Sequence, residues 1–89
     1  MDITYDPAKN EANIRKHGVS LEVAGMIDWS EVLSYVDTRR DYMEVREVGF
    51  APIGARLYCV VFTQRGESMH VISLRKANDR EVRNYAQYD

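Results

Sequence analysis

Three arginines in or next to predicted strands of the second half of the chain stand two residues after a polar side chain, a spacing that suits chemistry on one face of a strand. Arg46 follows Glu44, Arg65 follows a threonine and Arg75 follows a serine. Alternate side chains of a strand point to the same face, so each arginine would share a face with its polar neighbour. Transfer of a phosphoryl group without a metal needs cations for the charge that develops at phosphorus, and a base and an acid for two protons. The pattern predicts a polar, cationic face suited to that reaction.

A lysine and a histidine end the first predicted helix and are candidates for the same chemistry. Histidine exchanges protons near neutral pH, so His17 can serve as base or acid; alternatively, it is a helix C-terminal histidine that the helix dipole favours. Lys16 either binds a phosphate or is a solvated lysine. We predict a catalytic cluster of Glu44, Arg46 and Arg65, helped by Lys16 or His17.

Candidates for substrate binding lie nearer the C-terminus. Arg75 and Lys76 form a basic doublet that either binds a phosphate backbone or pairs with nearby acids, Glu47 and Asp79. Tyr85 either stacks on an exposed base, as aromatic side chains do with single-stranded RNA, or belongs to the core. We predict that these three residues contact the substrate.

The expected pairing of the last two long strands separates two of the arginines. If a tight turn follows Arg65, Arg75 lies near Tyr58. The distance from Arg65 to Arg75 is then about 20 Å, at about 3.3 Å per residue. The same register puts Arg46 on the face of Arg65 and Arg75 on the other face, unless a bulge near Gly49 changes the assignment. We therefore expect one catalytic cluster and a wider phosphate track.

Neither a metal nor another cofactor is expected from the sequence. His17 and His70 are far apart, and no Asp-x-Asp or His-x-x-x-His pattern brings ligands together. Cys59 is the only cysteine and lies in an apolar run, which excludes an internal disulfide and a cysteine-based zinc site. A buried, inert thiol is expected.

The composition indicates one globular domain spanning residues 1–89, with 45% hydrophobic and 29% charged residues. The net charge of −2 argues against a nucleic-acid binder, but its distribution is uneven. Residues 1–45 carry nine acids and five bases (−4), and residues 46–89 carry five acids and seven bases (+2). The longest apolar run, 57–62, is too short to cross a bilayer. A cytoplasmic protein without membrane contact is expected.

The order of elements predicts an α+β fold with an antiparallel sheet of four to five strands, two N-terminal helices and one C-terminal helix. Asp6 begins the first helix, Gly18 follows its end and Ser20 begins the second helix. Asn78 begins a capping box for the last helix. The predicted strands are residues 3–5, 33–37, 43–50, 57–63 and 69–75.

Spaced residues along almost the whole chain resemble the BrnT family of ribonuclease toxins. The pattern D-P-x-K-x-x-x-N-x-x-K-H-G-V-S-x-E-x-A begins at Asp6, L-x-x-V-V-x-T-x-R-G begins at Leu57, and I-S-x-R-K-A begins at Ile72. Glu44-x-Arg46 is a further match. So long a spaced pattern is hard to meet by chance.

The resemblance implies a RelE-like fold and a metal-independent endoribonuclease of a type II toxin–antitoxin pair, which cleaves RNA and inhibits translation and growth. It also implies a BrnA-type antitoxin partner that covers the cationic surface, and contact with operator DNA only through that antitoxin. The alternative is a non-catalytic binding module that partners a DNA-binding repressor. Cleavage of RNA by the purified protein distinguishes the two.

Overall fold

A five-stranded sheet forms the body of the protein in a computed structural model, which describes residues 2–39, 41 and 43–88. The strands lie in the order β1-β5-β4-β3-β2. Along the chain the elements are β1 (Asp2–Thr4), α1 (Pro7–His17), two 3-10 helices (Leu21–Met26 and Trp29–Glu31), β2 (Leu33–Val36), β3 (Glu47–Ile53), β4 (Arg56–Arg65), β5 (Ser68–Lys76) and α2 (Asp79–Ala86). The predicted α+β class is confirmed.

The sheet is mixed, so the prediction of an antiparallel sheet is wrong at one edge. β2, β3, β4 and β5 pair antiparallel, but β1 runs parallel to β5, with Ile3 opposite Met69. A parallel pair needs a long crossover connection, and here the whole chain between β1 and β5 provides it. Side-chain alternation reports which residues are in strands but not the direction of their neighbours, which is why the sequence did not predict this pairing.

Helix α1 begins and ends where the sequence predicts. The Asp6 side chain accepts a hydrogen bond from the Ala8 amide (2.8 Å), and Pro7 occupies the first turn, where its missing N–H costs nothing. Gly18 adopts a left-handed conformation (φ 70°), and its amide donates to the Ile14 carbonyl. The side chains that end this helix are therefore held in a defined place.

The predicted second N-terminal helix is a 3-10 helix, Leu21–Met26, followed by a second 3-10 helix, Trp29–Glu31. Ser20 caps the first of them as predicted, accepting from the Glu22 amide at 3.2 Å. An α-helix of six residues that include Gly25 would contain few backbone hydrogen bonds. These bonds would not offset the entropy lost in forming the first helical turn. The tighter turn still buries Leu21 and Ala24 against the sheet.

The pairing of β4 with β5 skips one residue and inverts part of the predicted face assignment. Ile72 lies at the irregularity and has no partner in β4. Such a bulge shifts the alternation of the strand by one residue. Arg75 therefore pairs with Cys59 and shares the face of Arg65, so its predicted place on the opposite face is wrong. The bulge lies in β5 and not near Gly49.

The hydrophobic core lies between one face of the sheet and the N-terminal helices. Its largest fully buried side chains are Leu21, Val60, Val71 and Leu74. Trp29, which the second 3-10 helix provides, packs edge-on against Phe62, with ring centroids 4.9 Å apart. The buried apolar cluster thus joins the centre of the sheet to the helices that position the site.

Gly49 allows β3 to approach that cluster closely, and a methyl group there should destabilise the protein. A Cβ atom at this position would lie 2.7 Å from Val32 Cγ1 and 3.2 Å from a Phe62 ring carbon. Overpacking of this kind costs about 1–3 kcal/mol, so Gly49→Ala is expected to lower the free energy of unfolding by that amount. Urea denaturation measures it. Gly25→Ala is the matched control, because a Cβ there meets nothing within 4 Å; equal losses in both variants would contradict the packing argument.

Candidate active site

A polar cleft of about 110 Å³ lies between the start of α1, the segment before β3, the end of β4 and strand β5. Both cations and proton acceptors line it, next to the bulge of β5. The lining side chains are Asp6, Lys9, Glu44, Arg46, Arg65, His70, Val71 and Ile72. Three of the residues predicted to be catalytic, Glu44, Arg46 and Arg65, are therefore brought together.

The centre of the cleft is an ion pair between Arg65, the last residue of β4, and Glu44. Arg65 donates from Nε and Nη2 to the two carboxylate oxygens at 2.8 and 2.7 Å. Hydrogen bonding from Arg65 is the largest cause that lowers the pKa of Glu44, against a smaller effect of burial. Electrostatic interactions with Arg65, His70 and Arg46 lower it further. Glu44 therefore stays ionised and fixes the direction of the Arg65 guanidinium.

Glu44 and Arg46 lie just before β3, which begins at Glu47, and not within a strand as predicted. A side chain of the neighbouring strand holds this segment: the Thr63 hydroxyl donates to the Val45 carbonyl at 2.6 Å. The Asp37 amide also donates to the Arg46 carbonyl at 2.8 Å. The segment that contains Glu44 and Arg46 thus runs beside β4 as far as the cleft, although regular pairing of β3 with β4 stops at Glu47.

His70 is the imidazole of the cleft, and sequence reasoning gave it no catalytic role. It lies in β5 directly opposite Thr63 of β4 and opposite Thr4 of β1. Its Nδ1 atom is 2.8 Å from Thr4 Oγ1. The sequence feature that could have indicated His70 is its position five residues after Arg65, across a tight turn. Its contact with Thr4 depends on the parallel pairing of β1 with β5.

Lys9 and Asp6 are the other site residues that sequence reasoning missed. They are the N-cap residue and a first-turn residue of α1, and both line the cleft together with His70 and Arg65. Their signal was the motif itself, in which an aspartate and a lysine stand three residues apart on one side of a helix. They add one cation and one carboxylate.

Lys16 and His17 lie at the other end of α1 and are not among the residues that line the cleft. Seven or eight residues separate them from Lys9, a distance of about 10–12 Å along a helix. The pKa of His17 is lowered, first by partial burial and then by the positive charges of Lys16 and Arg75. The two residues are thus associated with Arg75 and not with Arg65.

Arg75 forms an ion pair with a residue of the last helix, α2. It donates from its two terminal nitrogens to the Glu81 carboxylate, each at 2.8 Å. Glu81 also accepts from the Asn78 amide and completes the predicted capping box. The acid that Arg75 pairs with is therefore Glu81, whereas the sequence suggested Glu47 or Asp79. Arg75 lies about 20 Å from Arg65, because six residues of β4 separate Cys59 from Arg65.

Glu81 gives this contact a pH dependence that can be measured. Hydrogen bonding from Arg75 lowers the pKa of Glu81 below the ordinary value of a glutamate. A lowered carboxyl pKa contributes stability above the unfolded value, and the contribution is lost as pH falls through the folded value. At pH 7, Glu81→Gln is expected to lower the free energy of unfolding by about 1 kcal/mol. Denaturation at pH 7 and at pH 3 should show the difference between variant and wild type shrinking in acid; a constant difference would contradict the ion pair's contribution.

The other two substrate-binding candidates differ in their surroundings. Lys76 is exposed at the end of β5, opposite Tyr58. The Tyr85 hydroxyl donates to the Glu31 carbonyl at 3.1 Å and fastens α2 to the second 3-10 helix. Its ring lines an apolar groove between α2 and strands β2 and β3. Tyr85 is therefore neither in the core nor in the polar cleft.

Two further findings concern metal binding and membrane spanning by the described residues. Within residues 2–39, 41 and 43–88, no three side chains of the histidine, cysteine, aspartate and glutamate types lie close enough to hold a metal ion together. In the same part of the chain, no helix has the length and apolar character required to span a membrane. Cys59 is buried as predicted, and burial raises the pKa of its thiol.

Comparison with known proteins gives a family and a related fold. Residues 5–81 match the family described as the ribonuclease toxin BrnT of type II toxin–antitoxin systems. The structure is similar to the crystal structure of the Brucella abortus ribonuclease toxin BrnT, with a TM-score of 0.68 and 23% sequence identity over 89% of this chain and 99% of that one. A comparison with curated proteins finds no match.

Proposed function

This chain belongs to the BrnT family of ribonuclease toxins of type II toxin–antitoxin systems, and from that premise we propose that it is a metal-independent endoribonuclease whose reaction takes place in the polar cleft. One observation carries the proposal: the bidentate Arg65–Glu44 pair lies in the same cleft as Arg46, Lys9 and His70. Positive charge and a group that transfers protons are thus available together. These are the requirements that the reaction makes of a protein without a metal ion.

The proposed reaction is attack of a ribose 2′-hydroxyl on the adjacent phosphorus. The new bond gives a phosphorane with two negative charges, and loss of the 5′-oxygen leaves a 2′,3′-cyclic phosphate. Preorganised cations stabilise such charge more than the charge of the starting diester, which is how they lower the barrier. Arg65 is the best placed of them, because Glu44 fixes its orientation before substrate binds.

We propose that a second cationic region, distant from the cleft, binds another part of the same RNA strand. Arg75 lies about 20 Å from Arg65, so the two contact different phosphates of one strand. Lys76 follows it in β5, and the charges of Lys16 and Arg75 both act on His17. Lys76 and Arg75 stay as phosphate contacts on this track, and Lys16 is moved to it from the predicted catalytic cluster. The contact of Tyr85 with Glu31 supports a role in anchoring α2.

A toxin of a type II system has a protein antitoxin as its partner. We propose that this partner is of the BrnA type, that it covers the cationic cleft, and that operator DNA is reached only through it. Free toxin would then cleave RNA, inhibit translation and stop growth. Co-expression with the antitoxin is expected to restore growth.

The decisive experiment is incubation of the purified protein with RNA, in the presence of either EDTA or Mg²⁺, with the fragments followed by gel electrophoresis. Cleavage in EDTA, with ends that carry a 2′,3′-cyclic phosphate, is the expected result. Cleavage only with Mg²⁺ would contradict the metal-independent mechanism. Intact RNA at high protein concentration would favour the alternative, a binding module that partners a DNA-binding repressor.

A further inference from the structure

We propose that His70 is the general base of this reaction and that Thr4 is the residue that positions its ring. The inference rests on the proposed function, because it names the group that removes the 2′-hydroxyl proton in the same cleft. It assigns a role to β1, the short parallel strand at the edge of the sheet. Thr4 is the residue of β1 that stands opposite His70.

The base must accept a proton, and the carboxylate and imidazole side chains among the described residues that line the cleft are Asp6, Glu44 and His70. Asp6 caps α1, with its Oδ1 atom accepting from the Ala8 amide at 2.8 Å. Both oxygens of Glu44 accept from Arg65, so protonation of Glu44 would break the ion pair that orients the guanidinium. Protonation of His70 breaks neither the contact of Asp6 with the Ala8 amide nor the ion pair between Glu44 and Arg65.

In the proposed arrangement, the contact with Thr4 occupies Nδ1 of His70 and leaves Nε2 available to the substrate. Nδ1 is 2.8 Å from Thr4 Oγ1, and a hydroxyl oxygen can accept a hydrogen bond. With the ring proton on Nδ1 and donated to Thr4, Nε2 carries the lone pair. A fixed tautomer and ring direction are what a general base needs before the substrate arrives.

Charged groups from three parts of the chain line the cleft together with His70. Asp6 and Lys9 come from α1, Glu44 and Arg46 from the segment before β3, and Arg65 from the end of β4. The 2′-hydroxyl proton moves to Nε2 of His70, the 2′-oxygen bonds to phosphorus, and the bond from phosphorus to the 5′-oxygen breaks. The 5′-oxygen takes a proton from water and leaves as a hydroxyl. The imidazolium then returns its proton to solvent, so protons and charge balance.

The first test replaces His70 by glutamine in the full-length protein and measures single-turnover cleavage of a short RNA. A fall of about 10²–10⁴-fold is expected, the usual contribution of a general base. A second substrate carries sulfur in place of the scissile 5′-oxygen, so its leaving group needs no acid. The same loss is expected on both substrates. A loss that disappears on the sulfur substrate would make His70 the acid and overturn the proposal.

The second test separates positioning by Thr4 from a general effect on the fold. Thr4→Val keeps the shape but removes the hydroxyl, and is expected to slow cleavage about five- to tenfold, the contribution of one hydrogen bond. Thr4→Ser keeps the hydroxyl and should restore the rate. Nitrogen-15 NMR of the His70 ring is expected to show the Nδ1–H tautomer in wild type and Thr4→Ser, and a mixture in Thr4→Val. An Nε2–H tautomer in wild type would overturn the proposal.

His17→Gln makes the failure of this inference distinguishable from failure of the proposed function. A wild-type protein that cleaves RNA, together with an active His70→Gln variant and an inactive His17→Gln variant, would overturn the role of His70 and leave the ribonuclease proposal standing. A wild-type protein that leaves RNA intact would overturn both. The expected order of activity is wild type, then His17→Gln, with His70→Gln far below.

Discussion

Replacement of Arg65 by alanine is expected to lower the rate of RNA cleavage by about 10²–10³-fold, which is the effect of removing one preorganised donor to a developing oxyanion. The loss should appear in kcat and not in the stability of the fold. The side chains of Arg65 and Glu44 are 49% and 46% exposed, and ion pairs so open to water contribute little to stability. Single-turnover kinetics and urea denaturation of the same preparation measure the two quantities. On expression without antitoxin, the variant should no longer stop growth.

Two control variants test whether the position of Arg65, and not its charge alone, produces the effect. Arg56→Ala removes the same charge from the exposed first residue of β4, about 30 Å away at nine residues of strand. It is expected to weaken RNA binding slightly and to leave kcat unchanged. Arg65→Lys keeps the charge but loses the planar, bidentate contact with Glu44, so an intermediate rate is expected. Equal losses for Arg56→Ala and Arg65→Ala would mean that only the total positive charge matters.

Much of the local structure follows from short-range signals that a sequence displays directly. The aspartate–proline start and glycine end of α1 were predicted from capping chemistry, which involves residues only a few positions apart. The same holds for the capping box that begins at Asn78. The grouping of Arg65 with Glu44 and Arg46 was also predicted, because the tight β4–β5 turn and the pairing of neighbouring strands limit the register.

Other features of the site depend on contacts that no local pattern specifies. The bulge at Ile72 moves Arg75 to the face of Arg65, and nothing in the alternation of β5 marks where a residue is skipped. The parallel pairing of β1 with β5 joins residues more than sixty positions apart, so the contact between Thr4 and His70 was not predicted. The only histidine that the sequence indicated as a base or acid is His17, at the end of a helix in a motif, whereas the fold places His70 in the cleft.

Asn13 shows how the fold brings the two sides of the cleft together. It lies inside α1, where asparagine is unfavourable for the helix, yet its side chain is buried. Nδ2 donates to the carbonyls of Val19 and Leu74, each at 2.8 Å, and Oδ1 accepts from the Leu74 amide at 3.2 Å. β1 pairs with β5 only as far as His70, so Asn13 takes the place of a strand at Leu74. The side chain therefore docks α1, which provides Lys9, onto the strand that provides His70.

Asn13→Ala is accordingly expected to lower the free energy of unfolding by about 3 kcal/mol, because it leaves a buried amide and two buried carbonyls without partners. For a domain of this size that corresponds to a fall in Tm of about 12–24 °C. Thermal and urea denaturation measure the loss, and Asn84→Ala is the matched control, since Asn84 is an exposed asparagine in α2. A small loss at Asn13 would show that water replaces the amide at the free edge of β5. Below its Tm the Asn13→Ala variant should still cleave RNA, but more slowly, because α1 and β5 no longer hold Lys9 and His70 at a fixed separation.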